Sequence, residues 1–130
     1  MLHIFLLQSE REIRKQGTNV LKQSAELDNL LLFKELLEKN FRKEKLVKRY
    51  ANELNISEKL LHKATTQLID KTPKQVIDER ILLETKRLLV HSNLSIKEIA
   101  YDLGFEEPTN FIKYFRKHTN MTPAEFREQK

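Results

Sequence analysis

LSIKEIAYDLGFEEPTNFIKYFRKHTNMTPAEFR, residues 94–127, is the stretch whose reading decides the fold. Ser95 with Glu98 three positions later forms a capping box, which satisfies two otherwise unpaired amide donors at a helix start. Ile96, Ile99, Ala100 and Leu103 fall at i, i+3, i+4 and i+7, so they share one helical face. Gly104 follows at the point where a helix ends in a left-handed conformation that glycine adopts without penalty. Phe105 returns the chain to the core, and Pro108 suits the first turn of a second helix, where its missing N–H is not needed. Phe111, Tyr114 and Phe115 supply that helix with a buried side, while Lys113, Arg116, Lys117 and His118 occupy the rest. A short helix, a glycine turn and a basic helix make a helix-turn-helix over 95–119.

The same unit occurs once more upstream, over 46–69. Val47, Tyr50, Ala51 and Leu54 match Ile96, Ile99, Ala100 and Leu103 at an offset of 49 residues. Asn55 stands in the place of Gly104, and asparagine is the next-best residue for a left-handed turn. Ile56 stands where Phe105 stands, and Ser57 caps a second helix, 58–69. From Leu61 the offset is 50: Leu61 matches Phe111, Lys63 matches Lys113, and Lys71-Thr72-Pro73 matches Met121-Thr122-Pro123. One residue has been inserted in the second turn.

Between the two units lies PKQVIDERILLETKRLLV, 73–90, without internal glycine or a second proline. Thr72 caps this helix and Pro73 starts it; Val76, Ile77, Ile81, Leu82, Leu83, Leu88 and Leu89 are its apolar residues. At ~1.5 Å per residue it spans about 27 Å, the order of the ~34 Å between successive major grooves on one side of B-DNA. Arg80, set among apolar residues, reads as an ion-pair partner of a nearby carboxylate.

Upstream, 2–15 reads as a helix, broken by Gly17, Thr18 and Asn19, with a weaker segment to Glu26. Asp28 is placed to cap a further helix, 29–40, with Leu31, Leu32, Phe33, Leu36 and Leu37 at helical spacing. The apolar band on the first helix fits either packing on its own domain or a dimerisation or inter-domain contact.

Composition narrows the function classes. The chain has 130 residues, only 2 Gly and 3 Pro, and 39% hydrophobic residues, which suits an all-helical fold of one domain or two very small ones. No apolar run approaches the ~18 residues of a membrane span. There is no cysteine, which excludes disulfides and thiolate metal sites. No phosphate-cradling glycine loop, HExxH or cysteine nucleophile is present, so no enzyme class and no cofactor is expected. His62 and His118 lack a second ligand at metal spacing and read as surface histidines. The formal net charge of +5 lies entirely in residues 41–130, and the segments 59–69 and 108–124 contain no acid. Concentration of that excess on two short helices points to an anionic partner.

The string IA-x-x-x-GF-x-x-P-x-x-F-x-x-x-FR-K-x-x-x-x-TP, preceded by DERILLETKRLL and by a degenerate copy of the same unit, resembles the DNA-binding domain of AraC/XylS-type transcription regulators over about residues 29–127. The resemblance implies an all-α, seven-helix domain with two helix-turn-helix units joined by a long central helix, residues 28–130. It implies that 1–27 is a helical extension or linker from an upstream sensor domain. It also implies double-stranded DNA as partner, RNA polymerase as a further partner of an activator, homodimerisation through the upstream region of a longer protein, and a cytoplasmic, nucleoid-associated bacterial location. The chain departs from the family pattern at Thr65, where an aromatic is common, and at Asp70 and Asn120, where glycine is common. The competing class is a helical protein-interaction module that has lost specific DNA binding.

Recognition helices read bases with outward side chains of their N-terminal half. In the second unit these are Thr109, Asn110 and Lys113, with Ile112 placed to meet a thymine methyl. An Asn amide pairs with adenine and a Lys reaches guanine acceptors. In the first unit the matching positions are Lys59, His62 and Lys63. Thr66, Arg116 and Lys117 lie further along and are expected on phosphates, as are the helix starts at Ser95 and Thr122.

Overall fold

A computed structural model describes residues 10–129, with side chains described from residue 21 onward. Seven helices, and no strand, are found among the described residues: α1 Glu10–Asn40, α2 Val47–Glu53, α3 Glu58–Ile69, α4 Pro73–His91, α5 Ile96–Asp102, α6 Pro108–Thr119 and α7 Pro123–Glu128. None is long and apolar enough to cross a membrane.

The first correction concerns α1. One helix runs unbroken through Gly17, Thr18 and Asn19, and Asp28 sits exposed within it and caps nothing. A glycine inside a helix costs only about 1 kcal/mol relative to alanine, less than packing further along the same helix returns. Leu30, Phe33 and Leu37 are that anchor: all are buried, and α1 makes its broadest contact with α3. Leu31 and Leu32, expected on the apolar face, are exposed instead, together with Leu21 and Leu27. The helix therefore crosses the expected 27/28 boundary without interruption, while the expected helical residues 2–9 lie outside the described residues.

The internal repeat holds to individual hydrogen bonds. Asn55 has φ 58° and Gly104 φ 85°. In the first turn Leu54 N–H donates to Tyr50 O at 3.0 Å and Ile56 N–H to Ala51 O at 3.1 Å; in the second, Leu103 N–H donates to Ile99 O and Phe105 N–H to Ala100 O, both at 3.0 Å. Asp70 and Asn120 end α3 and α6 in the left-handed region, φ 55° and 62°. Thr72 with Gln75 and Thr122 with Glu125 then form capping boxes that start α4 and α7. Asp and Asn hold these turns because their short polar side chains tolerate the left-handed conformation.

Gly104 answers a second requirement that Asn55 does not face. A Cβ at position 104 would stand 1.8 Å from Arg42 O. The turn of the second unit thus presses against the end of α1, and Lys45 seals the junction. Its ammonium donates to Leu103 O at 2.5 Å, Arg42 O at 3.3 Å and Phe41 O at 3.4 Å, and lies 5.1 Å from the centre of the Phe105 ring. Burial draws the Lys45 ammonium below its usual pKa.

The core is continuous. Phe33, Phe41 and Tyr50 from the N-terminal side join Leu61, Ile77, Ile81, Leu89, Ile99, Leu103, Phe111 and Phe115 in a single buried cluster. α4 is one residue longer than expected, ending at His91, and touches α2, α3, α5 and α7. Leu83, counted among its apolar residues, is 62% exposed, whereas Glu84 and Thr85 are buried. Thr65 is fully buried where the family commonly has an aromatic; its hydroxyl donates to His62 O at 3.2 Å and so brings no unsatisfied group into the core.

Candidate nucleic-acid interface

Both recognition helices are pinned by their apolar side and present the other to solvent. In α3 the buried residues are Leu61, Ala64 and Thr65; in α6 they are Phe111 and Phe115, with Tyr114 half-buried. Phe105 stacks at 5.4 Å against both Phe111 and Tyr114, which sets the angle at which the chain enters α6. Lys59, His62, Thr109, Asn110, Lys113, Arg116 and Lys117 are all exposed. The expectation that these side chains face outward together on their helices agrees with this placement. Ile112 is half-buried and leans on the core, which shortens its reach to a base edge.

Charge is deployed differently on the two units. Among the described residues Lys59, Lys113 and Lys117 are in no ion pair, so their charges are uncompensated at close range. Lys113, Arg116, Lys117 and Asn120 line one open depression beside α6. Lys59 and His62 border another with Lys74 and Glu58. Lys63, by contrast, lies 3.6 Å from the Glu26 carboxylate of α1. Thr66 turns its hydroxyl inward to His62 O at 2.7 Å, leaving only an acceptor lone pair outward.

The helix starts at Ser95 and Thr122 are already furnished. Ser95 Oγ accepts from Glu98 N–H at 3.0 Å and Thr122 Oγ1 from Glu125 N–H at 3.1 Å, while each glutamate accepts from the backbone N–H of its cap residue. These bonds hold the Glu98 and Glu125 carboxyls below the usual carboxylate range. A phosphate would meet the remaining amides of each first turn with a carboxylate beside them.

The framework that aims the helices includes three acids that pattern reading did not single out. Asp78 on α4 accepts from Tyr114 Oη at 2.6 Å and lies 3.0 Å from Lys74 and 3.7 Å from His118. Desolvation and this bond push the Tyr114 hydroxyl well above its usual pKa. Glu84, almost fully buried, accepts from Arg87 Nε at 2.9 Å and from Arg42 at 3.1 Å, with Arg80 at 3.8 Å. The Arg87 guanidinium foremost, opposed by burial, holds Glu84 below the usual carboxylate range. Arg80 meets Glu38 in a two-pronged pair at 2.6 and 2.8 Å and covers the Phe41 ring at 4.1 Å, the ion-pair role its position suggested. Glu26 is the third acid. Only Asp78 and Glu84 had a weak signal, as acids next in sequence to the apolar residues Ile77 and Leu83 of the central helix.

Comparisons with known proteins agree on the architecture. The family described as a helix-turn-helix domain matches residues 50–129. The HTH-type transcriptional activator RhaS of Salmonella schwarzengrund strain CVM19633 is 28% identical over 127 residues, which cover 98% of this chain and 44% of that protein. The chain therefore spans less than half the length of that relative. A solved transcriptional regulator with an AraC-type DNA-binding domain, from Chromobacterium violaceum, is 25% identical with a TM-score of 0.68 and covers 82% of this chain and 95% of its own. A DNA-binding transcriptional dual regulator from Escherichia coli K-12 is 27% identical, with a TM-score of 0.62, covering 78% and 97%.

Proposed function

Because this chain belongs to the AraC-type helix-turn-helix family, we propose that it binds double-stranded DNA sequence-specifically and so regulates transcription. The observation that carries the reading is the pair of exposed basic helical segments, 59–69 of α3 and 108–119 of α6, neither containing an acid, held outward by one buried framework. Each helix enters a major groove. Asn110 and Lys113, with Thr109, read bases from α6; Lys59, His62 and Lys63 do so from α3. Arg116 and Lys117 hold phosphates, which fix register without reading sequence, and Thr66 joins them when its hydroxyl turns from His62 O to donate outward. The amides near Ser95 and Thr122 are secondary phosphate sites, and Ile112 contributes an edge contact at most.

α4, 19 residues and about 28 Å long, is the stiff element between the two readers. Residues 28–130 form the DNA-binding domain in this reading, and 1–27 are the arm that leads to it. Contact with RNA polymerase and homodimerisation belong to a longer protein of this family type, in the bacterial cytoplasm at the nucleoid. One domain with two reading helices binds specifically but not tightly, and dimerisation upstream supplies avidity.

Selection from random duplex DNA tests the proposal, followed by affinity for the winner and a scrambled duplex across a salt series. Two short enriched blocks about one helical turn apart, with affinity falling steeply in salt, are expected. A single block assigns the first unit to clamping the backbone. No enrichment and no salt-sensitive binding would overturn the proposal in favour of a protein-interaction module.

A further inference from the structure

Glu26 is a buried acid on α1, 8% exposed, whose two polar partners among the described residues belong to α3. Lys63 Nζ lies 3.6 Å from its Oε1. The Gln67 amide nitrogen, in the orientation that satisfies it, donates to Oε2 at 3.1 Å and Oε1 at 3.3 Å. Lys63 and Gln67 are one turn apart, so Glu26 straddles one flank of the first recognition helix. Neither α3 partner is a cap or a core residue, and Lys63 is a base-reading position.

We propose that Glu26 is an acidic brake on the first recognition helix, holding Lys63 in the DNA-free protein and giving it up when that helix enters the groove. The inference rests on the DNA-binding reading of α3. Its physical basis is a cost that falls on the bound state alone. When Lys63 turns to DNA, Glu26 keeps its bond to Gln67 but loses its counter-ion, and a desolvated carboxylate without a cation is disfavoured. The acid sits on α1 and not within either helix-turn-helix unit, so the restraint is imposed on α3 from outside. The second unit has no counterpart: Lys113 is unpaired among the described residues.

The test measures binding of the whole chain to its selected duplex and to a scrambled one over a salt series, for the natural sequence, Glu26→Gln, Lys63→Ala and the double variant. Glu26→Gln retains the side-chain shape and a hydrogen bond to Gln67 while removing the charge. It is expected to bind roughly five-fold more tightly at low salt, the size of one ion pair. Its log–log salt slope should steepen by about one. In the Lys63→Ala background the gain should vanish. Glu26→Asp, which draws the carboxylate back from Lys63 by one methylene, is expected to show a smaller gain and serves if the glutamine variant unfolds. Unchanged or weaker binding by Glu26→Gln, or an equal gain without Lys63, overturns the brake. Absence of salt-sensitive DNA binding by the natural sequence instead overturns the reading on which it rests.

Discussion

Tyr114 donates its hydroxyl to Asp78 at 2.6 Å, and this bond ties the second recognition helix to the long central helix. It is a charge-assisted bond between residues 36 positions apart, largely shielded from solvent, where such bonds are worth more than at a surface.

Tyr114→Phe is therefore expected to destabilise the fold by about 1.5–3 kcal/mol. Asp78 keeps Lys74 and His118 nearby, so the carboxylate is not left without partners. Denaturant unfolding would check this, and a change under ~0.5 kcal/mol would show that ring stacking alone aims α6.

Glu84 governs stability in acid. Its carboxyl is held below the usual carboxylate range in the folded protein, so its contribution is fully present above the ordinary value of about 4.3. That contribution is lost as pH falls through the lower, folded value. Glu84→Gln should cost roughly 2–3 kcal/mol at neutral pH and should flatten the fall in stability below about pH 4.3. Unfolding midpoints of both proteins between neutral and acid pH would reveal an unchanged profile if the arginines around Glu84 were merely neighbours.

The two left-handed turns should respond unequally to alanine. Asn55 already accommodates a Cβ at φ 58°, so Asn55→Ala pays only for the backbone conformation, about 1 kcal/mol. Gly104→Ala adds a Cβ 1.8 Å from Arg42 O and is expected to cost roughly 3 kcal/mol or more. Equal losses in thermal unfolding would mean that the α1–α5 junction yields easily.

Lys113→Ala separates base reading from phosphate holding. If Lys113 reads a base, affinity for the selected duplex should fall by about 1–3 kcal/mol while scrambled duplex is affected less. Lys117→Ala should weaken both duplexes alike and reduce the salt slope by about one. Identical behaviour of the two variants would remove Lys113 from the reading face.

Local features were legible in the sequence because their causes lie within a few residues. The capping box at Ser95, the caps at Ser57 and Thr72 and the positive φ at Asn55 and Gly104 each involve groups no more than four or five positions apart. The exposed stations of Lys59, Asn110 and Lys113 follow from the same periodicity that buries Leu61, Phe111 and Phe115. Misreading was concentrated in α1, where Gly17 and Asp28 carry signals that packing of Leu30, Phe33 and Leu37 overrides.

By itself the sequence determined two copies of a helix-turn-helix, their boundaries, the helix between them and the segments, 59–69 and 108–124, free of acid. Those are consequences of backbone propensity and hydrophobic period, which are local. Tertiary structure alone decided which charges are committed and which are free. Glu26 reaches Lys63, Arg42 reaches Glu84 across 42 positions and Asp102 across 60, and Arg42 O presses on Gly104. Such pairings form only when packing brings distant segments together, and a lysine spoken for by a buried carboxylate looks, in the chain, the same as one that waits in solvent.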